Sequence, residues 1–248
     1  MNRVGIVAAL ASEARALAPE QRALAAGGEV LELEDDALLS VSGMGWDAAH
    51  AGAERLARCG ATALASFGTA GALDPALECG AVLVPREVRV LDGPALPTHA
   101  RWREALLAAV PRDCQVSDGA LLTSRVPLGS RLDKAIAWRE TGCVAVDMES
   151  AAVAQLAVAA AVPFLVLRVI VDTAADDLPE AVLAASGAGG GVAIGRLVLG
   201  LAFAPLSIPA VRSLARRFRI ACGMLTRLAE PGLPARRALT AQYWMGAR

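Results

Sequence analysis

The sequence predicts an α/β fold: a single domain with a mixed, mostly parallel central sheet flanked by helices, followed by an apolar helical carboxyl-terminal extension. Three observations carry this. Short apolar runs of the buried-strand type alternate with alanine-rich helical stretches. Glycine turns, Gly43-Met-Gly45 and Gly68-Thr-Ala-Gly71, stand at the ends of such runs. The chain has 248 residues, 55% of them hydrophobic, which suits one α/β domain whose core needs no disulfide support.

Taken in order, Val4–Ala9 is a buried-type first strand, and a helix runs from about Ser12 until Pro19 delimits it. Val30–Leu33 and Ala37–Ser42 form a hairpin pair around Glu34-Asp35-Asp36, and the Gly43–Gly45 turn leads into a helix over Asp47–Cys59 with Gly60 as its cap. Ala61–Phe67 is another buried strand, ending at Gly68, and Ala81–Val90 reads as one longer strand. Asp92–Pro97 is rich in turn residues, Arg101–Ala109 is helical, Gln115–Thr123 returns to the sheet, and Leu132–Glu140 is helical before Gly142. Strand Cys143–Asp147, helix Ser150–Ala160 and strand Phe164–Val171 complete the alternation, with no repeat of solenoid period. Gly187-Ala-Gly-Gly-Gly191 lacks the Gly-Lys-Ser/Thr of a phosphate loop and reads as a flexible loop or a close helix contact. The expected organisation is an α/β domain over residues 1–190 and a helical segment over residues 191–248 packed on it.

A formal net charge of -1 and the lack of any aromatic-plus-basic pattern exclude nucleic-acid binding by bulk electrostatics. Five scattered cysteines, odd in number and without metal-type spacing, fit reduced thiols better than a disulfide framework or a zinc site. The amino-terminal stretch reads as a strand and not as a signal peptide, so a cytoplasmic location is expected.

Two carboxylates stand out. Glu149 in Val146-Asp-Met-Glu-Ser150 falls where a strand's carboxyl end meets a helix amino terminus, and Asp172 takes the same topological place after Phe164–Val171. Ligands bind at that edge of open α/β sheets, so two acids delivered there suggest acid chemistry with polar recognition of a small ligand. On residues alone the favoured reading of Glu13 is a solvated first-turn helix residue and that of Met148 is core, while Asp172 could equally cap a turn and Thr69 be only a turn residue. Glu149, an acid among apolar neighbours, needs a partner in any reading.

Five segments, Val4-Gly-Ile-Val-Ala-Ala-Leu-Ala-Ser-Glu13, Ser42-Gly-Met-Gly45, Gly68-Thr-Ala-Gly-Ala-Leu73, Val146-Asp-Met-Glu149 and Arg168-Val-Ile-Val-Asp172, resemble in order and spacing the nucleoside phosphorylase/nucleosidase superfamily. The methylthioadenosine/adenosylhomocysteine nucleosidase branch is the one they resemble in particular, over roughly residues 3–175. The resemblance implies a nucleoside phosphorylase-like fold and cleavage of the N-glycosidic bond between a purine and ribose, without a metal or organic cofactor. It implies that Asp172 protonates the departing purine and that Glu13 orients or deprotonates the attacking water. It also implies that Glu149 accepts hydrogen bonds from ribose hydroxyls with Met148 against the sugar, and that Thr69, after Gly68, holds the nucleophile. Leu122, with Leu121, stands where the family covers adenine with an aromatic ring, and Val171 where a serine often supports the aspartate. Family phosphorylases bind phosphate with an arginine just before the glycine turn. Ser66 occupies that place, and neither Arg3 nor Arg15 matches, so water is favoured over phosphate, with a phosphorylase and a non-catalytic nucleoside-binding module as the alternatives.

From Val192 the character changes. Leu197–Val211 is an uncharged apolar run, broken by Pro205 and Pro209 and too short to span a membrane. Arg212, Arg216 and Arg219 then recur at helical spacing, with Leu214 and Phe218 on the other side. Such a helix suits either a surface dipping into lipid headgroups, making residues 192–219 a peripheral contact with the membrane's inner face, or a closing helix at a dimer contact. Together with a short, weakly polar Asp92–Pro97 region, this resembles the hopanoid-associated nucleosidase/phosphorylase sub-group, which implies adenosylhopane, a 5′-substituted and lipidic adenosine, as substrate. The superfamily resemblance implies a homodimer or higher homo-oligomer.

Overall fold

The computed structural model describes residues 3–21, 24–179, 208–240 and 243. Its elements run β1 (Arg3–Ala8), α1 (Ala11–Ala14), β2 (Leu31–Glu32), β3 (Leu38–Val41), α2 (Trp46–Arg58), β4 (Ala61–Ala72), β5 (Val82–Leu83), β6 (Glu87–Arg89), β7 (Leu96–Pro97), α3 (Ala100–Ala109), β8 (Val116–Ser117), β9 (Leu121–Thr123), α4 (Arg131–Thr141), β10 (Ala145–Asp147), α5 (Ser150–Ala159) and β11 (Phe164–Asp172). Two further helices, α6 (Ile208–Ala229) and α7 (Pro234–Thr240), follow. The strands form one mixed sheet, with the path β2-β3-β1-β4-β10-β9-β6-β7 and a branch through β11, β5 and β8. This is the α/β sheet flanked by helices that the alternating pattern predicts.

β4 positions everything that matters. One of its edges carries β11 in parallel from Leu64 to Gly71. Its other edge carries β1 in parallel as far as Phe67 and then β10 in antiparallel at Gly71 and Ala72. Between these two partners Gly68, Thr69 and Ala70 have no neighbour strand on that edge among the described residues, and the carboxyl end of β1 and the segment after β10 diverge there. A crevice at a strand-order change follows from that topology alone.

Side-chain alternation along β4 and β11 divides the core in two. Ala63, Ala65 and Phe67 with Leu165, Leu167 and Val169 face a layer that includes Trp102 and Leu106 of α3 and Leu225 and Leu228 of α6. Leu64, Val166 and Ile170 face the opposite layer, built from Ala49, Ala53 and Leu56 of α2 and Ala151, Val153 and Ala157 of α5. The numerous alanines of α2 and α5 let these helices sit close to the sheet.

Several boundaries differ from the sequence expectation, for identifiable reasons. Ala81–Val90 is two short strands, since Pro85 has no N–H to give a ladder. Gln115–Thr123 is likewise broken, around Gly119, where an added Cβ would meet Val144 at 2.5 Å. β4 does not end at Phe67; its pairing with β11 runs on through the Gly-Thr-Ala-Gly stretch. The helix after Ser12 is a single turn. α6 begins at Ile208, so Pro209 lies in its first turn, where a missing N–H costs nothing. Gly187–Gly191 and most of the Leu197–Val211 run lie outside the described residues. Among the described residues, no helix is long and apolar enough to cross a membrane.

Candidate active site

The crevice beside Thr69 opens into a cavity of about 430 Å³. Its floor is acidic, with Glu13, Asp147, Glu149 and Asp172 all lining it. Its walls are apolar and include Val126, Pro127 and Leu128 together with Val211, Leu214 and Phe218 of α6. Among the described residues, no arginine, lysine or histidine lines it.

Glu13 is buried at 2% exposure, which removes the reading of a solvated helix residue. Its Oε2 accepts the Leu10 N–H (3.0 Å), closing the single turn of α1 in the manner of a capping box. Its Oε1 accepts both the N–H and the hydroxyl of Thr69, each at 2.8 Å. The Thr69 hydroxyl is thereby committed as a donor, and its lone pairs remain to accept. Gly68 is buried against Glu13 and is not among the residues lining the cavity. A Cβ there would lie 2.6 Å from Arg168 Nη1 and 2.8 Å from Glu13 Oε2, both tips of anchored side chains. Gly68→Ala is therefore expected to cost about 1–3 kcal/mol of stability by overpacking, read by urea unfolding, and to displace Glu13.

Glu149 precedes α5, and its Oε1 accepts the Gly45 N–H at 2.8 Å, bridging to the start of α2. Burial pushes its carboxyl up to about 7, with Asp147 and Glu13 adding to the rise and Arg168 and the Gly45 N–H opposing it. The sign for stability follows. A carboxyl near 7 in the native state and near 4.5 when unfolded binds its proton more tightly in the native state. That contribution is complete below about pH 4.5 and is lost as pH rises through 7. Glu149→Gln is expected to flatten the fall in unfolding free energy between about pH 5 and pH 8 by about 1–3 kcal/mol, measured by urea unfolding across that range.

Asp172 reaches the cavity through a bulge. Ile170 pairs with Ala70, but the next partner, Gly71, pairs with Asp172 and not with Val171. A Cβ at Gly71 would sit 3.1 Å from Asp172 Oδ2, so the glycine makes room for the carboxylate. Lys134 Nζ donates to that same oxygen. Burial pushes the Asp172 carboxyl up, and Lys134 pulls part of the way back. Turn capping falls to Asp176, whose Oδ2 accepts the N–H and hydroxyl of Thr173 at 2.9 and 2.8 Å. Val171, where a serine was expected to matter, is part of the cavity wall.

Arg168 and Asp147 carry weight that sequence reasoning did not assign to them. Arg168, 1% exposed, projects from β11 beneath the site. Its Nη2 lies 2.7 Å from Asp147 Oδ2 and 3.7 Å from Glu149 Oε2, and it donates to Ser66 Oγ (2.8 Å) and Ser150 Oγ (3.1 Å). Burial works against its charge, and Asp147, Glu149 and Glu13 more than offset that, so the guanidinium is held above its ordinary range. Asp147 is fixed in turn by the Thr123 hydroxyl (2.6 Å) and the Ser150 N–H (3.1 Å). The signal was a lone charge in the apolar run Phe164–Val171, which must find a buried partner.

Met148 lines the cavity. Leu122 does not: it is 1% exposed and is covered by its neighbours Leu73, Cys143 and Val146, of which Val146 itself reaches the cavity. The expectation that it contacts the ligand is corrected, and the apolar wall in this region is Val126–Leu128. Arg3 pairs with Glu32 at the far end of β1, and Arg15 is exposed; neither lines the cavity.

Comparisons with solved structures agree with this architecture. The 5′-methylthioadenosine/S-adenosylhomocysteine nucleosidase of Neisseria meningitidis, in complex with methylthio-immucillin-A, is similar with a TM-score of 0.68 at 19% identity, covering 90% of this chain and 95% of that one. The corresponding nucleosidase of Campylobacter jejuni gives 0.61 at 18% identity, covering 92% and 100%. Futalosine hydrolase of Helicobacter pylori strain 26695 gives 0.63 at 17% identity, covering 90% and 95%. No curated protein matches the sequence. The family pattern does match, from residue 3 to residue 189, and it spans both the β4 crevice and all four acids: the chain belongs to the phosphorylase superfamily.

Proposed function

We propose that the protein is a purine nucleosidase that hydrolyses the N-glycosidic bond of a 5′-substituted adenine nucleoside with water as nucleophile. The observation that carries this is the charge of the cavity: four acids line it and no cationic side chain among the described residues does. Arg168, buried beside Asp147 and Glu149, is already committed to Asp147, Ser66 and Ser150. A phosphate dianion has no charge partner there, whereas a sugar that becomes cationic as the base departs is stabilised by that same field. The similar nucleosidase structures, one holding an immucillin, support the same class of substrate.

Roles follow from chemistry. Glu13 and the Thr69 lone pairs hold the attacking water. Glu149, with a carboxyl near 7, accepts or shares protons with ribose hydroxyls, and Met148 packs against the sugar. Asp172, whose carboxyl burial pushes up, gives a proton to the purine ring nitrogen so that the base leaves neutral. The apolar wall of Val211, Leu214 and Phe218 supports a greasy 5′ substituent, with adenosylhopane as the specific substrate. Arg212, Arg216 and Arg219 on the exposed side of α6 support contact with an anionic membrane surface from which such a substrate is drawn.

The test is adenine release from methylthioadenosine, inosine and a lipid-linked adenosine, with and without phosphate. Release is expected without phosphate and fastest with the lipid-linked substrate. Strict dependence on phosphate, with ribose 1-phosphate formed, would identify a phosphorylase, and binding without release would identify a nucleoside-binding module.

A further inference from the structure

The chain contains 24 cationic residues, and only one of them is a lysine, Lys134. That lysine is fully buried in α4. Its Nζ donates to Asp172 Oδ2, to Thr173 O (2.9 Å) and to Asp176 O (2.8 Å). Three acceptors require three N–H donors, which only the ammonium form supplies. An arginine would bring a planar fork to a place that needs a compact, tetrahedral donor.

The segment after β11 is moulded around this contact. The Leu178 N–H donates to Gly129 O (2.7 Å) and the Arg131 N–H to Asp177 Oδ1 (2.8 Å), so residues 172–178 lie along the start of α4. From the other side, Arg217 of α6 pairs with Asp176. The charged and titratable groups acting on Asp172 are therefore Lys134 from α4, Asp176 from its own turn and Arg217 from α6, with the Cys79 thiol also within electrostatic reach. Lys134 is the one that touches it.

We propose that Lys134 is a positioning residue that sets the acid strength of Asp172 while holding its carboxyl at the cavity wall. The inference rests on Asp172 acting as the acid in the reaction proposed above. Burial alone would leave Asp172 a weak acid, reluctant to release a proton to a weakly basic purine nitrogen. A fixed positive charge on the opposite side of the carboxyl stabilises the carboxylate that remains after transfer, so the proton leaves more readily. Lys134 itself gives up no proton; the proton passes from Asp172 to the base, and solvent restores it after product leaves.

Two measurements test this. In Lys134→Met, kcat for adenine release is expected to fall about tenfold or more with KM within about threefold, while the alkaline limb of the kcat profile moves up by about 1 pH unit or more. A slower enzyme that keeps its proton to higher pH is not what a loosened structure gives, and a limb that stays in place overturns the inference. The second measurement needs neither turnover nor that variant to fold. Selective ¹⁵N labelling of lysine gives a single side-chain Nζ signal, which is expected to show one pH-dependent step in the wild type and none in Asp172→Asn. A flat wild-type signal, or the same step in both proteins, overturns the inference. If the step is present but the wild type releases adenine from no nucleoside, the coupling stands and the proposed reaction falls.

Discussion

Asp172→Asn is expected to lower kcat for adenine release by about 10²–10⁴-fold, with the fold intact and KM little changed. The amide keeps the size of the carboxyl and an oxygen that accepts from Lys134, whose bonds to Thr173 O and Asp176 O do not depend on residue 172. Lys134 therefore retains a full set of acceptors, which limits the cost in stability. What the amide lacks is a transferable proton. It can offer an N–H hydrogen bond to the purine nitrogen, so ground-state binding is preserved, but the departing base then leaves with its charge uncompensated. The measurement is steady-state adenine release alongside urea unfolding of the same preparation. Release within about tenfold of wild type would remove Asp172 from the role of acid, because general-acid help is worth more than that.

How much of this was legible in the sequence depended on whether the cause was local. Alternating apolar runs and glycine turns announced the strands and helices, since burial on both faces of a sheet imposes them directly. Glu149 and Asp172 could be placed at the sheet's carboxyl edge for the same reason. Leu122 could not be placed: which face of β9 it takes depends on register with β10, and that register sends it into the cluster with Leu73 and Val146. Nor could the bulge at Val171 be read, although it decides that Asp172 and not its neighbour pairs with Gly71. Lys134 had no local signature at all. It sits in a polar-looking helix 38 residues before its partner, and only tertiary packing buries it. Arg168 was half legible, as a charge inside an apolar strand, but not its choice of Asp147 as partner.

Arg168→Met is expected to be the most destabilising single change at the site, by about 3–5 kcal/mol near neutral pH. Methionine fills much of the same volume in the layer between β11 and α5, so the loss is electrostatic more than steric. It leaves Asp147 and Glu149 side by side without a counter-ion, and it removes the donor shared by Ser66 and Ser150. The pH dependence separates this cause from poor packing. Without the guanidinium the Glu149 carboxyl is pushed further above its unfolded value, so the native state of the variant gains most from protonation. Its deficit should therefore be smaller at pH 5 than at pH 8, whereas a packing defect would be the same at both. Asp147→Asn in the Arg168→Met background should recover part of the loss, a non-additive result expected of groups in direct contact. Urea unfolding of the two variants at both pH values reads all of this. An Arg168→Met protein with an equal deficit at pH 5 and pH 8 would mean that Arg168 contributes volume and not charge beside Asp147 and Glu149.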